Sequence, residues 1–211
     1  TTTNLVSQWL LDEGTGTSAT DNAGSNTGTI TSATWATNTD IAHITSKWKN
    51  ANNDTLVRGG YKFDGVNDDI DIGTGLSSIG SAITVSAWIN IGETSDRTIF
   101  SNREASGTFQ GWDLDIVGDK IRFIVDEGTS AGNTTGLTDL PQHEWVHIVG
   151  MRESGGDIKV FVNGLDDNPT HTNIAGDFSS TATGYIGSYR GASDYFEGSI
   201  ADAQVYDTSL T

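Results

Sequence analysis

The residues alternate. In "ITVSAWINI" (83–91), Ile83, Val85, Ala87, Ile89 and Ile91 fall on one side of an extended chain, and Thr84, Ser86, Trp88 and Asn90 fall on the other. A period of two is the signature of a strand with one face on a core. It recurs along nearly the whole chain. "WDLDIV" (112–117) sets Trp112, Leu114 and Ile116 against Asp113 and Asp115. "KIRFIVDEG" (120–128) sets Ile121, Phe123 and Val125 against Arg122. "EWVHIVGM" (144–151) is apolar on both sides, as a central strand would be. "LVSQWLL" (5–11), "DIKVFVNG" (157–164) and "SIADAQVYD" (199–207) are further predicted strands. Gly, Asn and Asp punctuate these runs, as turn chemistry demands. With no helical stripe longer than two turns, the pattern predicts an all-β antiparallel sandwich.

A length of 211 residues with 35% hydrophobic content suits one domain over 1–211. Only two prolines occur, and no linker-like run divides the chain. Lys and Arg total 11 against 28 Asp and Glu, a formal net charge of -17. Such a surface repels phosphate backbones and anionic membranes, so nucleic acid is excluded as a partner. The acid excess reads either as solubility or as a supply of oxygen ligands for a divalent cation. The absence of Cys excludes disulfides, thiolate zinc sites and Cys nucleophiles. No stretch approaches the roughly 20 apolar residues of a membrane span, so no membrane insertion is expected. The chain starts at Thr1 without a signal-like segment and reads as a processed or excised fragment. Residues 14–60 are dominated by Thr, Ser, Asn, Gly and Ala, with Trp35 and Trp48 among them. An irregular stretch this long is often functional or held by something external to itself.

In "YKFDGVNDDIDIG" (61–73), Tyr61 and Phe63 are odd-numbered while Ile70 and Ile72 are even. One alternation cannot serve both pairs, so a turn or bulge is predicted at Asp64–Asn67. Asp69 and Asp71 then form the wet face.

Five runs, in this order, resemble the concanavalin A-like lectin/glucanase superfamily in its laminin G-like and pentraxin-like branch. They are "LVSQWLLDEGTGTSATDNAGSNTGTI" (5–30), "YKFDGVNDDIDIG", "ITVSAWI", "EWVHIVGMRESGGDIKVFVNG" (144–164) and "YFEGSIADAQVYDTSL" (195–210). The resemblance implies a jelly roll of two curved sheets with one concave face. It also implies a structural calcium joining the N-terminal loop to the closing strand. The matching positions are Asp21, Asn22 and Asn26 in the loop and Asp202 in the strand. Where the family often has an acid, this chain has Ala201. A ligand supplied by that side chain is lost; one supplied by a carbonyl or by Asp202 survives.

The fold alone does not choose a function. The Glu-x-Asp-x-x-Glu strand of the glucanase branch is absent, and Asp113 with Asp115 is the nearest approach to it. Gly-x-Ser-x-Gly is absent too. The candidate ligand-binding residues are aromatics and their charged neighbours outside the core pattern. They are Trp35 and Trp48 in the polar segment, Trp88 opposite the apolar face of its strand, and Tyr189 and Tyr195 flanking "RGASD". Arg103, Arg190 and Asp194 could hydrogen-bond hydroxyls, carboxylates or sulfates. The expectation is a non-catalytic, extracellular or surface-exposed carbohydrate-binding or lectin-like domain with a glycan as partner. A structural or adhesion domain on a virion or cell surface, and a polysaccharide-degrading enzyme, stand as alternatives.

Overall fold

The computed structural model describes residues 4–36, 59–92, 96–104, 107 and 109–210. They form two antiparallel sheets packed face to face. The first contains, in spatial order, β14 (Leu165–Asp166), β13 (Asp157–Val162), β12 (Trp145–Arg152), β7 (Ile83–Ile91), β17 (Glu197–Tyr206), β5 (Tyr61–Asp64) and β4 (Thr34–Trp35). Off this path, β1 (Leu5–Trp9) pairs with β17 and β15 (Thr172–Asn173) with β13. The second runs β11 (Ala131–Thr135), β10 (Lys120–Asp126), β9 (Gly111–Val117), β8 (Arg97–Arg103), β16 (Tyr185–Ile186), β6 (Asp69–Asp71), β3 (Gly28–Thr31) and β2 (Ser18–Ala19). The all-β sandwich expected from the alternation is the fold observed. Among the described residues, no helix is long and apolar enough to cross a membrane.

β7 occupies the run predicted for it, and β9, β10, β12, β13, β17 and β1 follow theirs with small shifts at the ends. β8 and β11 are strands that the alternation does not announce. β8 carries a register shift between Thr98 and Phe100, so that Ile99 and Phe100 are both buried in the core. A bulge of this kind breaks period two. β11 reads Ala-Gly-Asn-Thr-Thr and owes its conformation to pairing with β10.

The inner faces of the sheets build one core. Trp9 of β1 meets Phe100 of β8 edge-on at 5.7 Å, and Phe100 meets Trp112 of β9 at 5.1 Å. The first of these contacts spans the two sheets, and the second lies within one. Where β12 approaches β10, only a glycine fits: a Cβ on Gly150 would lie 2.4 Å from the Phe123 ring.

The phase change in "YKFDGVNDDIDIG" has a concrete cause. β5 belongs to one sheet and β6 to the other, so residues 65–68 carry the chain across the sandwich. Asp64 Oδ1 accepts the N–H groups of Val66 (2.8 Å) and Asn67 (3.3 Å), and Asp68 Oδ2 accepts that of Asp64 (2.8 Å). Gly65 takes φ 77° there. The wet-face expectation fails at Asp69, which is only 6% exposed. It sits between β3 and β16, with hydrogen bonds to the side chains of Thr31 and Ser188.

Candidate functional site

On β8, β9 and β10 the side chains opposite the core are mostly polar, Ile124 being an exception, and register places them together. Ser101 faces Asp113 and Thr98 faces Asp115 across β8–β9. Asp115 faces Arg122 and Asp113 faces Ile124 across β9–β10. The connection from β16 to β17 folds over this surface. Tyr189 and Ser193 exchange backbone hydrogen bonds at 2.8 and 3.3 Å. Arg190 and Asp194 adopt φ 62° and 49°, the left-handed region that tight loops use. Tyr195 Oη donates to Gly191 O (3.0 Å), Arg190 N to Ser101 Oγ (3.2 Å), and Thr98 N to Asp194 O (2.8 Å). Between loop and sheet lies a cavity of about 190 Å³, lined among others by Arg97, Arg103, Asp113, Asp115, Arg122, Tyr189 and Asp194.

The charged groups brace one another. Arg103 donates to Asp126 (2.5 Å), to Asp113 Oδ2 (3.4 Å) and to Phe109 O (3.1 Å). Arg122 grips both oxygens of Asp115, at 3.0 and 2.5 Å. The Arg190 guanidinium lies 4.0 Å from the Tyr189 ring centroid, and Arg190 and Arg103 approach the Phe109 ring at 5.8 and 6.0 Å. Phe109 is 44% exposed. Asp113, by contrast, is 2% exposed, and its Oδ1 accepts no hydrogen bond from the described residues. Burial pushes its carboxyl up to about 7, against the opposing pull of Arg103. Burial also raises Asp115, despite its hydrogen bonds to Arg122. Burial opposes the Arg103 charge, yet the bond to Asp126 and the charge of Asp113 hold its pKa above the usual arginine value.

The sequence-predicted residues separate into groups. Arg103, Tyr189 and Asp194 line the cavity, and Arg190 sits against it through Tyr189. Tyr195 braces the loop from beneath. Trp35 is elsewhere, in β4, packed edge-on against Tyr61 at 5.5 Å. Trp88 is 6% exposed in a small apolar cluster with Ala36, Trp145 and Ala201, on the outer side of the other sheet. Its ring tilts against His147 at 5.1 Å. Trp48 lies outside the described residues. Sequence reading missed Asp113, Asp115, Arg122 and Asp126 as site residues. Their signal was present as alternation, since the polar phases of adjacent strands must share a face.

Of the loop and strand residues expected to hold calcium, Asp21 and Asp202 both accept hydrogen bonds from Gln8. Asp21 Oδ1 accepts the N–H groups of Gln8 (3.0 Å), Ala23 (3.0 Å) and Gly24 (2.9 Å), and Oδ2 that of Asn26 (2.9 Å). Burial works against its charge, but these four amides hold its carboxyl below the usual value. Asn22 donates through Nδ2 to Thr20 O (3.3 Å) and Asn26 through Nδ2 to Ser7 Oγ (2.7 Å). Asp202 Oδ1 accepts from Gln8 and Gln204, each at 2.8 Å. The position before it, Ala201, is fully buried. Among the described residues, no three His, Asp or Glu side chains converge as a metal-binding group.

A family model described as the concanavalin A-like lectin/glucanases superfamily, of laminin G type, matches residues 63–211. Similar solved structures include domain 4 of AbnA, an extracellular arabinanase from Geobacillus stearothermophilus, in complex with arabinotriose. It has TM-score 0.69 and 18% identity, covering 99% of this chain and 94% of that one. The binding domain of botulinum neurotoxin serotype G has TM-score 0.68 and 13% identity, covering 99% of this chain and 49% of that one. A Trypanosoma rangeli sialidase mutant displaying trans-sialidase activity has TM-score 0.68 and 15% identity, covering 100% and 32% respectively. The chain thus spans nearly all of the arabinanase domain, about half of the toxin domain and about a third of the sialidase. At these identities the likeness is one of fold. No curated protein sequence matches the chain.

Proposed function

We propose, from the premise that the chain belongs to the concanavalin A-like lectin/glucanase superfamily, that it is a non-catalytic carbohydrate-binding module acting at an extracellular site or surface. The observation that carries the reading is the cavity under the 189–195 loop, with its mutually braced arginines and aspartates beside Tyr189. Sugars present hydroxyls at fixed angles, and side chains already held in place lose little entropy on meeting them. Hydrolysis would need two free carboxyl groups flanking a bond, one as acid and one as base or nucleophile. Asp113 and Asp115 share the face, but Arg122 occupies both oxygens of Asp115. The arabinotriose-bound domain of an extracellular arabinanase and the toxin binding domain support binding as the role and the outside of the cell as the place.

Calcium is a separate component. A cation at the N-terminal loop would have to displace backbone N–H groups from Asp21. Calcium asks for six to eight oxygens; Asp202 holds Gln8 and Gln204 through Oδ1, and Asn26 holds Ser7 through Nδ2. No part of the proposed binding function is routed through a metal.

A structural or adhesion domain is the second reading, favoured by Trp88, which is packed away with Trp145 rather than displayed. A glycan array followed by calorimetry separates the two. The module reading expects binding to at least one polysaccharide and its loss in Arg103→Ala. Silence on every glycan, with and without calcium, leaves the adhesion reading. Released sugars on incubation with a polysaccharide would make the chain an enzyme.

A further inference from the structure

We propose that the cavity under the 189–195 loop selects a neutral sugar ring, one hydroxyl of which donates to Asp113 Oδ1 while another accepts from Arg97 Nε. The inference rests on the carbohydrate-binding reading and adds to it the ligand's charge class and two anchoring atoms.

Three observations carry it. The first is hydrogen-bonding capacity. Asp113 Oδ1 and Arg97 Nε are buried and unpartnered, and both residues line the cavity. One is an acceptor and the other a donor. A hydroxyl can satisfy either, because it donates and accepts; a sugar carboxylate can satisfy only the arginine.

The second is charge. The lining arginines are already engaged: Arg103 with Asp126 and Asp113, Arg122 with Asp115, and Arg97 within 4.0 Å of Glu197. None offers the open two-pronged fork with which arginine takes up a carboxylate. Asp96, Asp113, Asp115 and Asp194 also line the cavity, and the chain as a whole carries -17. An acidic sugar meets repulsion at long and short range.

The third is size. At about 190 Å³ the cavity is smaller than the roughly 300–1,000 Å³ of drug-sized pockets. It holds one ring, and the rest of an oligosaccharide lies outside.

The anchor has a pH signature. The charged and titratable groups around Asp113 are Arg103 on β8, Asp115 on its own strand, Arg122 and Asp126 on β10, and Tyr189, Arg190 and Asp194 on the covering loop. Burial leaves the carboxyl titrating at about 7. A hydroxyl donating to Oδ1 favours the ionised form, so affinity rises as pH rises through that value.

The test uses the full chain on an array of neutral and uronic acid-containing oligosaccharides. Calorimetry follows with arabinotriose and trigalacturonate at about pH 5.5 and about pH 8, on either side of the Asp113 titration. The wild type is compared with Asp113→Asn and Arg97→Lys, the latter keeping the charge while removing Nε. Expected are binding of the neutral sugar alone, several-fold tighter at the higher pH. Each variant weakens it about tenfold, and the pH slope is lost in Asp113→Asn. Equal or tighter binding of trigalacturonate, or neutral binding that survives both variants, overturns the anchors and leaves the module reading standing. No binding to any glycan by the wild type overturns both. Should Asp113→Asn not fold, Arg97→Lys and the wild-type pH profile decide the matter.

Discussion

Single residues decide more here than their numbers suggest. Asp113 is a buried carboxyl with one oxygen on Arg103 and the other unpartnered. Its folded pKa is raised from 3.8 to about 7, so the folded state holds a proton that the unfolded state releases between those values. The associated stabilisation is fully present below 3.8 and is lost as pH rises through about 7, with about 4 kcal/mol as its upper bound. We therefore expect the melting midpoint of Asp113→Asn to gain on that of the wild type between pH 5 and pH 8 (both about one to two units from the titration). Melting curves of the two proteins that stay parallel across that range would contradict it. Asp21 shows the opposite logic: a carboxylate wrapped by four amides keeps its charge and fixes the loop around it.

Elements impose constraints that no residue states alone. The site exists because β8, β9 and β10 lie side by side and turn the same phase outward. The bulge in β8 lets Ile99 and Phe100 both enter the core while Thr98 and Ser101 remain on the site face. The two sheets pack with Gly150 directly against Phe123. Gly150→Ala would place a methyl carbon inside the ring's contact distance, and overpacking of this kind costs about 1–3 kcal/mol. Urea unfolding is expected to show that loss; an unchanged midpoint would mean that the sheets part without strain. The same shift should loosen the site, since Phe123 lies on β10 between Arg122 and Ile124.

At the scale of the whole molecule, charge and topology govern. A net charge of -17 repels itself in the compact state. Sodium chloride added from low ionic strength should therefore raise the melting midpoint, as screening shortens the reach of the repulsion. Calcium at matched ionic strength should add nothing beyond this, and EDTA should remove nothing, because Asp21 is already satisfied by amides. A calcium-specific rise reversed by EDTA would restore the cation expected from the family resemblance, since a ligand of the native state must stabilise it. The strand class, the inward face of most strands and the order of family-like runs were legible from residue order alone, because alternation is a local consequence of a pleated backbone at an apolar boundary. Residue order also pointed to Arg103, Tyr189, Arg190 and Asp194, since a basic residue beside aromatics is conspicuous in so acidic a chain. It took the packed fold to show that Asp113, Asp115, Arg122 and Asp126 lie beside them, that Trp35 and Trp88 lie elsewhere, and that Asp69 is buried. Those outcomes depend on which strands become neighbours and on what loop covers them. Register and coverage are settled between segments far apart in the chain, where no local pattern reaches.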